Sequence, residues 1–406
     1  MNILVISQLY PQPDDVGDNK PTKTVEYFAK EWVESGNYVV VMHCPSKFPL
    51  LYYLVPSAIK NKLAGQSSNI IPPIESRKPL FRCDYGIPVY RLPMFKVFPG
   101  QGYSKVMMLK QTKEIIEILQ KINFTPEVVI GHFANPSLEL SVNLAEHYKA
   151  KSSIVFHHDC NERNIQRYRI NELINRIGAV GARSIVEAKE VQELLKLIRT
   201  PFICYSGAPD DAVDACTKFC KKHDFSNGIK YIYVGSLIKR KHLDAVINAF
   251  VEKYRNSDMA TLEIVGGGPE EDNIKSLLSQ LNVDGKVIFT GKVPREDVLK
   301  KMGDSNIFTL ISDGEAYGMV YIEAMLQGCL TIASKGGGFD GIIIDGENGF
   351  ICNPGDAEML KSIYDCICNM TMEERNRIGQ NAIDTAVNYS EKVVAEQYLN
   401  DVLERN

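Results

Sequence analysis

Paired cysteines are missing from this sequence, whose 406 residues include ten cysteines but no Cys-x-x-Cys motif. The close spacings, Cys216/Cys220 and Cys366/Cys368, have no histidines beside them at zinc-site spacing. The pattern argues against a structural zinc site and against a disulfide framework. We therefore predict reduced thiols and a cytoplasmic protein.

Long hydrophobic runs are missing too. The longest apolar stretch, residues 48–59, is interrupted by Pro49 and Pro56 and falls short of the roughly 18 residues that span a bilayer. Residues 1–6 have no basic leader and no small-residue cleavage site. We interpret them as a first strand and not as a signal peptide.

Motifs that bind phosphates or metals are absent or misplaced. The sequence has no Gly-x-x-x-x-Gly-Lys loop, which argues against a kinase. The Gly-x-Gly-x-x-Gly spacing occurs at residues 336–341 and does not follow the first strand of either series, which argues against a dehydrogenase. The sequence has no Asp-x-Asp pair, the spacing expected where a divalent metal holds a diphosphate. We predict that the protein needs no metal and no cofactor.

The number of charged residues is ordinary, but basic and acidic residues are distributed unevenly along the chain. Residues 1–205 contain 25 Lys or Arg against 19 Asp or Glu, although the whole chain has a net charge of −4. The basic excess lies mainly in residues 60–121, with 11 basic against 4 acidic side chains. Such a surface attracts anionic lipid headgroups or a phosphorylated acceptor, or it is simply a solvated face. We predict no nucleic-acid partner.

Short Val/Ile/Leu-rich runs alternate with longer amphipathic stretches, which indicates parallel sheets covered by helices. A first series of strands is predicted at residues 2–7, 38–43, 128–132 and 153–157. A second is predicted at residues 229–234, 260–265, 287–290, 307–311 and 330–333. Helices are predicted at residues 22–35, 105–122, 243–254, 272–281, 297–302, 320–327 and 391–404.

Two successive series predict two Rossmann-like α/β domains, at residues 1–205 and 206–390. The join is expected near residues 206–211, where Gly207 and Pro209 interrupt the pattern. The last helix, within residues 391–406, is predicted to pack back on the first domain. Residues 44–110 are rich in proline and aromatics, so we expect loops and short helices there, suited to acceptor recognition. For the helix at 105–122, packing on the first sheet is favoured over membrane binding.

The most informative segment is the stretch Ser312-Asp313-Gly314-Glu315-Ala316-Tyr317-Gly318-Met319-Val320-Tyr321-Ile322-Glu323-Ala324-Met325, which follows a strand and opens a helix. The free N–H groups of Gly318, Met319 and Val320, with the helix dipole, suit a diphosphate. Glu315 and Glu323 flank that point, and carboxylates accept hydrogen bonds from hydroxyls. A nucleotide sugar, with hydroxyls on both sides of a diphosphate, fits this layout. The alternative is that Glu315 caps the helix and Glu323 lies on its surface.

This segment resembles the Glu-x7-Glu element of glycosyltransferase family 4, a group of retaining enzymes with the GT-B fold. Residues 233–241 resemble the family's Gly-Arg-Leu-x-x-x-Lys loop, 262–269 its strand and Gly-x-Gly turn, 289–293 its base-binding loop, and 345–356 its closing element. The match is looser in the first half, at residues 10–17, His132 and His157. We interpret His132 as a structural residue.

The resemblance implies a GT-B fold, with two Rossmann-like domains facing each other across a cleft. It also implies site residues. Glu323 would hold the ribose and Glu315 the donor sugar, Lys241 would neutralise the diphosphate, and His157 would approach the sugar. Further donor contacts are implied for the base-binding loop, the helix start and two glycine loops: Lys292, Val293, Met319, Val320, Gly318, Gly235 and Gly17.

One position departs from the family. Ser236 stands where the family usually has an arginine that shares the diphosphate with the lysine. Either Arg240 or Lys239 in the same loop is expected to compensate.

The sequence thus predicts a retaining, metal-independent glycosyltransferase. By resemblance it moves a hexose from a UDP-sugar, or second a GDP-sugar, to a glycan or lipid-linked acceptor in surface polysaccharide or glycoconjugate synthesis, with peripheral association at the inner membrane face. One alternative is another enzyme on this fold, an epimerase or a sugar phosphorylase. Another is a catalytically weak relative that acts as partner of an active transferase, which Ser236 favours.

Overall fold

The structure, a computed structural model, describes residues 1–13, 23–54, 74–210, 212–213, 223–283, 285–314 and 318–406. Gly17 and Glu315, two of the predicted site residues, lie outside these ranges. The chain folds into two compact units. Residues 1–183, 187–204 and 394–406 form the first unit, and residues 184–186 and 205–393 form the second.

The first unit is built on an eight-stranded sheet with the order β10-β9-β8-β7-β1-β2-β5-β4. All neighbours are parallel except β4 and β5. Its central strands are almost wholly buried, as expected for a parallel sheet covered on both faces. The strands are β1 (Asn2–Ser7), β2 (Tyr38–His43), β4 (Leu80–Asp84), β5 (Ile87–Arg91), β7 (Val128–His132), β8 (Lys151–Val155), β9 (Ala179–Ala182) and β10 (Phe202–Ile203). A separate two-stranded sheet pairs β3 (Ser46–Lys47) with β6 (Met94–Phe95).

Helices connect these strands. They are α1 (Thr24–Glu34), α2 (Leu51–Leu54), α3 (Lys105–Lys121), α4 (Ser137–Tyr148), α5 (Glu162–Arg167), α6 (Ile170–Leu173) and α7 (Ile185–Leu195), with short 3-10 turns at Ile74–Arg77 and Ile174–Arg176.

The prediction of loops and short helices for residues 44–110 is wrong in one part. Residues 80–91 form the antiparallel hairpin of β4 and β5, and β5 extends the main sheet beside β2. The turn uses Tyr85 and Gly86, both with positive φ, which is the geometry of a two-residue hairpin. In β5, buried residues alternate with half-buried ones, so the signal was present in the sequence.

The second unit repeats the pattern with a six-stranded parallel sheet in the order β13-β12-β11-β14-β15-β16. The strands are β11 (Ile229–Val234), β12 (Ala260–Val265), β13 (Val287–Gly291), β14 (Ile307–Leu310), β15 (Leu330–Ser334) and β16 (Phe350–Cys352). The helices are α8 (Leu243–Tyr254), α9 (Glu271–Leu281), α10 (Arg295–Asp304), α11 (Met319–Leu326), α12 (Ala357–Asn369) and α13 (Met372–Ala386), with 3-10 turns at Lys239–Lys241 and Val387–Tyr389.

The C-terminal helix α14 (Glu391–Arg405) contributes residues from 394 onward to the first unit. The indole N–H of Trp32 donates to the carbonyl of Ala395 at 2.8 Å. Tyr398 is 1% exposed and packs edge-on against Phe28 and Trp32. Helix α14 therefore fills part of the core of the first unit.

Two smaller expectations concern membranes and thiols. None of the helices in the described ranges has the length and apolar character needed to cross a bilayer. Eight cysteines lie within those ranges and all are free thiols, while Cys216 and Cys220 fall outside them.

Candidate functional site

The second sheet has a topological switch point between β11 and β14. From β11 the chain proceeds outward to β12 and β13, then returns to β14 on the other side of β11 and continues to β15. In such sheets the crevice outside the carboxyl ends of the two diverging strands is the usual ligand site. Here residues 235–241 follow β11, and residues 311–314 and Gly318 follow β14.

Arg240 joins these two segments. Its guanidinium donates from Nη1 to the carbonyl of Asp313 at 3.0 Å and to that of Gly314 at 3.4 Å. The backbone N–H of Asp313 in turn donates to the carbonyl of Arg240 at 2.7 Å. The loop before α11 is therefore held against the loop after β11.

His242 strengthens the same junction, although the sequence alone did not single it out. Its Nε2 lies 2.7 Å from Oδ2 of Asp313. His242 has a φ of 48° at the start of α8, and its ring lies 2.9 Å from where a Cβ of Gly355 would be. A side chain at Gly355 would displace this imidazole.

The basic residues of the first loop differ in burial. Lys241 is buried, whereas Lys239, Arg240 and Ser236 are exposed. The aliphatic stem of Lys241 passes 3.6 Å from where a Cβ of Gly235 would be. Lys241 therefore lies in the buried part of the crevice. Ser236, which is exposed, contributes no positive charge to it.

Gly318 adopts the left-handed conformation, with φ 66° and ψ 53°, directly before α11. This geometry favours glycine and turns the chain abruptly into the helix. Tyr321, in the first turn, donates from its hydroxyl to the carbonyl of Leu310 at 2.8 Å, which fixes the helix on β14. The N–H of Tyr321 donates to the carbonyl of Gly318 at 2.8 Å, and the N–H groups of Met319 and Val320 come before this bond at the start of the helix. N–H groups at this position of a helix suit an anion.

A glycine turn after β12 supports the same crevice from the other side. Gly266 has a φ of 148°, and a Cβ there would lie 1.9 Å from the carbonyl oxygen of Gly235. Gly268 similarly approaches the backbone of Leu237, which also donates its N–H to the carbonyl of Gly267 at 3.1 Å. Only glycine allows the two loops to approach this closely.

Glu323 lies in the second turn of α11, where it is buried rather than on the surface. Its carboxylate accepts a charge-assisted hydrogen bond from the guanidinium of Arg295. Burial raises the pKa of Glu323, and Arg295 opposes that shift. Arg295, the first residue of α10, was not identified from the sequence, although it follows the predicted base-binding loop directly.

That base-binding loop follows β13, at the edge of the sheet. Val293 is half-buried and packs on the core of the second unit, and Lys292 is exposed. The aliphatic stem of Lys292 comes within 3.0 Å of where a Cβ of Gly267 would be. Lys292 therefore lies beside the glycine turn.

In the first unit, β7 and β8 end side by side, and each strand leads to a histidine. Nδ1 of His132 lies 3.0 Å from Nε2 of His157, and Nε2 of His132 lies 3.4 Å from the hydroxyl of Tyr398. The ring of Phe133 stacks on that of His157 with centroids 4.0 Å apart. His132, predicted to be structural, therefore orients the candidate His157.

Burial keeps both imidazoles neutral. It lowers the pKa of His132 to about 3 and the pKa of His157 well below its usual value, with a further contribution from Arg183 in each case. Asp159 accepts from the backbone N–H of His157 at 2.9 Å and of Ala134 at 2.5 Å. These bonds fix the loop that carries His157.

Within the described ranges, no three His, Cys, Asp or Glu side chains gather in a way that could hold a metal ion. Gly235, Arg240, Lys241, Gly318 and Glu323 thus belong to the segments that follow β11 and β14.

Comparison with known proteins agrees with this arrangement. Residues 217–385 match the family model described as glycosyl transferases group 1. N-acetyl-alpha-D-glucosaminyl L-malate synthase of Bacillus anthracis is 26% identical over 310 residues, which cover 74% of this chain and 80% of that protein. A GDP-mannose-dependent alpha-(1-6)-phosphatidylinositol monomannoside mannosyltransferase of Mycolicibacterium smegmatis is 28% identical over 160 residues, 38% of this chain and 41% of that one.

Solved structures show the same fold. A glycosyltransferase from Rickettsia africae superposes with a TM-score of 0.67 at 19% identity, covering 99% of this chain and 98% of its own. HepE from Anabaena in complex with UDP superposes with a TM-score of 0.65 at 17% identity, with both chains fully covered. These similarities confirm the predicted α/β fold of the GT-B class.

Proposed function

We propose that this chain, whose residues 217–385 match group 1 glycosyl transferases, transfers a hexose from a UDP-sugar, with a GDP-sugar as second candidate, to a glycan or lipid-linked acceptor. We further propose that the configuration at the anomeric carbon is retained, that no metal takes part, and that the product belongs to a surface polysaccharide or glycoconjugate made in the cytoplasm. The nucleotide sugar is a substrate, so no cofactor is required.

The observation that carries the proposal is the geometry at the switch point. The start of α11 at Gly318 offers N–H groups to a diphosphate, and Lys241 and Arg240 border the same crevice. Glu323, one turn further along α11, is the carboxylate available for ribose hydroxyls. The cations and N–H groups suit the diphosphate, and the carboxylate suits the ribose, so the site matches a nucleoside diphosphate.

The chemistry follows from where charge develops. Breaking the bond between the sugar and the diphosphate places negative charge on the leaving phosphate and positive charge on the sugar. Preorganised cations and N–H groups at the phosphate lower that barrier. Lys241, Arg240 and the start of α11 take this role, and an oxygen of the donor phosphate accepts the proton of the acceptor hydroxyl. We assign no protein nucleophile.

The remaining predicted residues complete the proposal. We propose that Glu315 contacts the donor sugar, that Val293 and Lys292 lie at the base, and that the loop containing Gly17 lies near the phosphates or the acceptor. His157 is proposed to contact the donor sugar as a neutral imidazole, since burial lowers its pKa. Met319 and Val320 contribute backbone N–H groups.

The names of similar proteins support the choice of substrates. HepE was crystallised with UDP, and with UDP-glucose. The Mycolicibacterium relative is named for GDP-mannose and for a phosphatidylinositol monomannoside, which supports a GDP-sugar as second donor and a lipid-linked acceptor. A structurally similar protein, WaaB, is named as a lipopolysaccharide outer core galactosyltransferase.

Calorimetry with UDP, GDP and inorganic phosphate tests the donor class, and incubation with a panel of nucleotide sugars reveals the sugar through slow donor hydrolysis. We expect UDP to bind and phosphate not to bind, which excludes a phosphorylase.

Glu323→Ala should weaken UDP binding by about tenfold or more, because hydrogen bonds to a charged group contribute roughly 1.5–3 kcal/mol. Glu252→Ala, on the exposed surface of α8, is the matched control. An unchanged UDP affinity in Glu323→Ala would remove the ribose assignment.

The second candidate function is a catalytically weak relative that assists an active transferase. Ser236 favours it, because the crevice lacks the arginine at that position. Turnover of any donor by the purified chain excludes it. Binding of UDP without hydrolysis or transfer across the full donor and acceptor panel supports it.

A further inference from the structure

Lys96 is buried, and within the described part of the chain it has no counter-ion. It follows β6 directly and is 2% exposed. Its ammonium lies 4.6 Å from the centre of the Tyr103 ring, a cation–π contact. Among the residues that the structure describes, no carboxylate and no other acceptor lies within bonding distance of Nζ. Lysine is almost never fully buried unless it is paired, so this position is unusual.

Burial and a neighbouring cation both disfavour the charged form of Lys96. Its pKa is lowered to about 7, first by burial and then by the positive charge of Arg167. An anion beside Nζ would oppose both effects, because an opposite charge within about 4–6 Å favours the ionised form. An anionic ligand therefore gains more from this lysine than from an exposed one, whose ion pairs are weak.

The short sheet of β3 and β6 directs Lys96 inward. Lys47 pairs with Phe95, and the N–H of Lys96 donates to the carbonyl of Lys47 at 2.8 Å, so the ladder continues one residue beyond β6. Successive side chains of a strand point to opposite faces. Ser46 and Lys96 are buried, whereas Phe95 is 42% exposed. Lys96 therefore shares the inner face of this sheet with Ser46, and Lys47 lies on the outer face.

A buried row of polar groups connects this inner face with the carboxyl end of β1. Gln8, the first residue after β1, donates from Nε2 to Oγ of Ser46 at 3.5 Å. Oγ of Ser46 lies 3.1 Å from the hydroxyl of Tyr103, whose ring contacts Lys96. The order of the first sheet reverses between β1 and β7. Ligands of open α/β sheets bind outside the carboxyl ends of strands at such a point, so Lys96 belongs to the ligand-binding edge of the first unit.

The end of α5 adds a second positive charge to this region. A Cβ on Gly102 would lie 2.5 Å from the carbonyl oxygen of Arg167, so only glycine lets the segment before α3 approach α5 this closely. Arg167 is exposed, yet its charge is near enough to lower the pKa of Lys96. Val97 and Phe98, which follow Lys96, are exposed as well. The chain therefore reaches the surface one residue after the buried ammonium.

We propose that Nζ of Lys96 donates to a carboxylate of the acceptor, which is therefore a glycan that contains a sugar acid. One buried ammonium balances one negative charge, and the ring of Tyr103 covers one side of it. A phosphate monoester carries about −1.5 to −2 charges and three acceptor oxygens, which need more donors than Lys96 and the exposed Arg167 supply. The inference rests on the proposed function, since it names the class of acceptor for that transfer.

Matched pairs of small acceptors test the inference on the full chain without a donor. Methyl glucuronoside and methyl glucoside differ only at C6, which is a carboxylate in one and a hydroxymethyl group in the other. Methyl galacturonoside and methyl galactoside form a second pair. NMR titrations measure the four affinities. We expect at least one of the two acids to bind about tenfold or more tightly than its neutral partner, because hydrogen bonds to charged groups are the strong ones.

Lys96→Met should remove this preference for the acid. Methionine suits a buried position, and the variant loses a buried charge that no described carboxylate compensates, so its melting temperature should be unchanged or higher. Lys47→Met is the matched control, because it removes a lysine from the outer face of the same sheet, and it should keep the preference. Arg167→Gln should weaken binding of the acid by no more than about threefold, since Arg167 is exposed.

Equal affinities within both pairs for the unchanged protein overturn the inference, and this comparison depends on no variant. A preference for the acid that Lys96→Met keeps overturns it too. So does binding of inorganic phosphate that Lys96→Met removes, which would assign the site to a phosphate. UDP binding by the unchanged protein is measured in parallel. UDP binding without a preference for an acid refutes this inference alone, whereas absence of UDP binding refutes the proposed donor.

Discussion

The guanidinium of Arg295 holds the carboxylate of Glu323, although 28 residues separate them along the chain. Arg295 follows β13 at one edge of the second sheet, while Glu323 belongs to α11 after β14, on the other side of β11. Glu323 is buried and Arg295 is half-exposed. The arginine therefore helps to keep a buried carboxylate ionised at the place where we propose that ribose binds.

Arg295→Ala is expected to change the pH dependence of UDP binding. Burial raises the pKa of Glu323 and Arg295 lowers it, so removing the arginine raises it further. A protonated Glu323 loses acceptor capacity for the ribose hydroxyls. As the pH decreases, affinity should therefore begin to fall at a higher pH than in the unchanged protein. Calorimetry between about pH 5 and 8 measures this shift.

Two further variants separate charge from packing at this pair. Arg295→Lys keeps the positive charge and should restore most of the original pH profile. Glu323→Gln cannot ionise, so its weaker UDP binding should keep only the pH dependence of the terminal phosphate of UDP, whose second pKa is about 6. If Arg295→Ala and the unchanged protein lose UDP affinity at the same pH, Arg295 does not act on the ionisation of Glu323.

Arg240→Ala should lower kcat/KM on the order of a hundredfold, because it removes a preorganised donor beside the leaving phosphate. The same change frees the loop of Asp313 and Gly314, which the guanidinium holds. Lys239→Ala is the matched control in the same loop and should change kcat/KM less than about threefold. Arg240→Lys should recover part of the loss, since lysine keeps the charge but not the forked geometry. Small and equal effects would mean that neither residue replaces the arginine absent at Ser236.

Transfer activity should survive EDTA. The proposed phosphate site consists of cations and N–H groups from Lys241, Arg240 and the start of α11, which can neutralise the diphosphate without Mg²⁺. The measurement compares initial rates with EDTA and with added MgCl₂, using a metal-dependent transferase in parallel to verify the chelation. Loss of activity that MgCl₂ restores would refute metal independence.

The sequence predicted the elements well where the pattern was local. Tyr38–His43 and Leu243–Tyr254 begin and end where the apolar runs indicated, and the strand predicted at 153–157 starts two residues earlier, at Lys151. The hairpin of β4 and β5 was missed because its strands are short and β4, at the edge of the sheet, is mostly exposed. The alternation in β5 covers five residues, too few to identify the hairpin.

The site was predicted less completely, because its contacts depend on sheet order. Motifs led to Glu323 and Lys241, but the pairing of Glu323 with Arg295 depends on how α10 and α11 pack, and two strands separate β13 from β14 in the sheet. Similarly, His132 and His157 follow separately predicted strands, and only the pairing of β7 with β8 brings their rings together. Neither relationship leaves a local sequence pattern.

Acid should weaken the first unit through His132. Its folded pKa is about 3, whereas an unfolded histidine titrates near pH 6.5, so below that pH the unfolded state binds the extra proton. His132 alone should lower stability by roughly 1.4 kcal/mol for each pH unit below about 6.5, in addition to the contributions of His157 and His43, whose pKa values burial also lowers. Hydrogen exchange of the amides of Val128–His132 reports the opening of this unit.

His132→Phe should remove the part of the pH dependence of stability that His132 contributes. His147→Gln, at an exposed position, should keep it. Comparing variants at each pH cancels the opposing contribution of Asp159 and Glu187, whose pKa values burial raises. An identical pH slope in His132→Phe and the unchanged protein would show that His132 already carries a proton in the folded state.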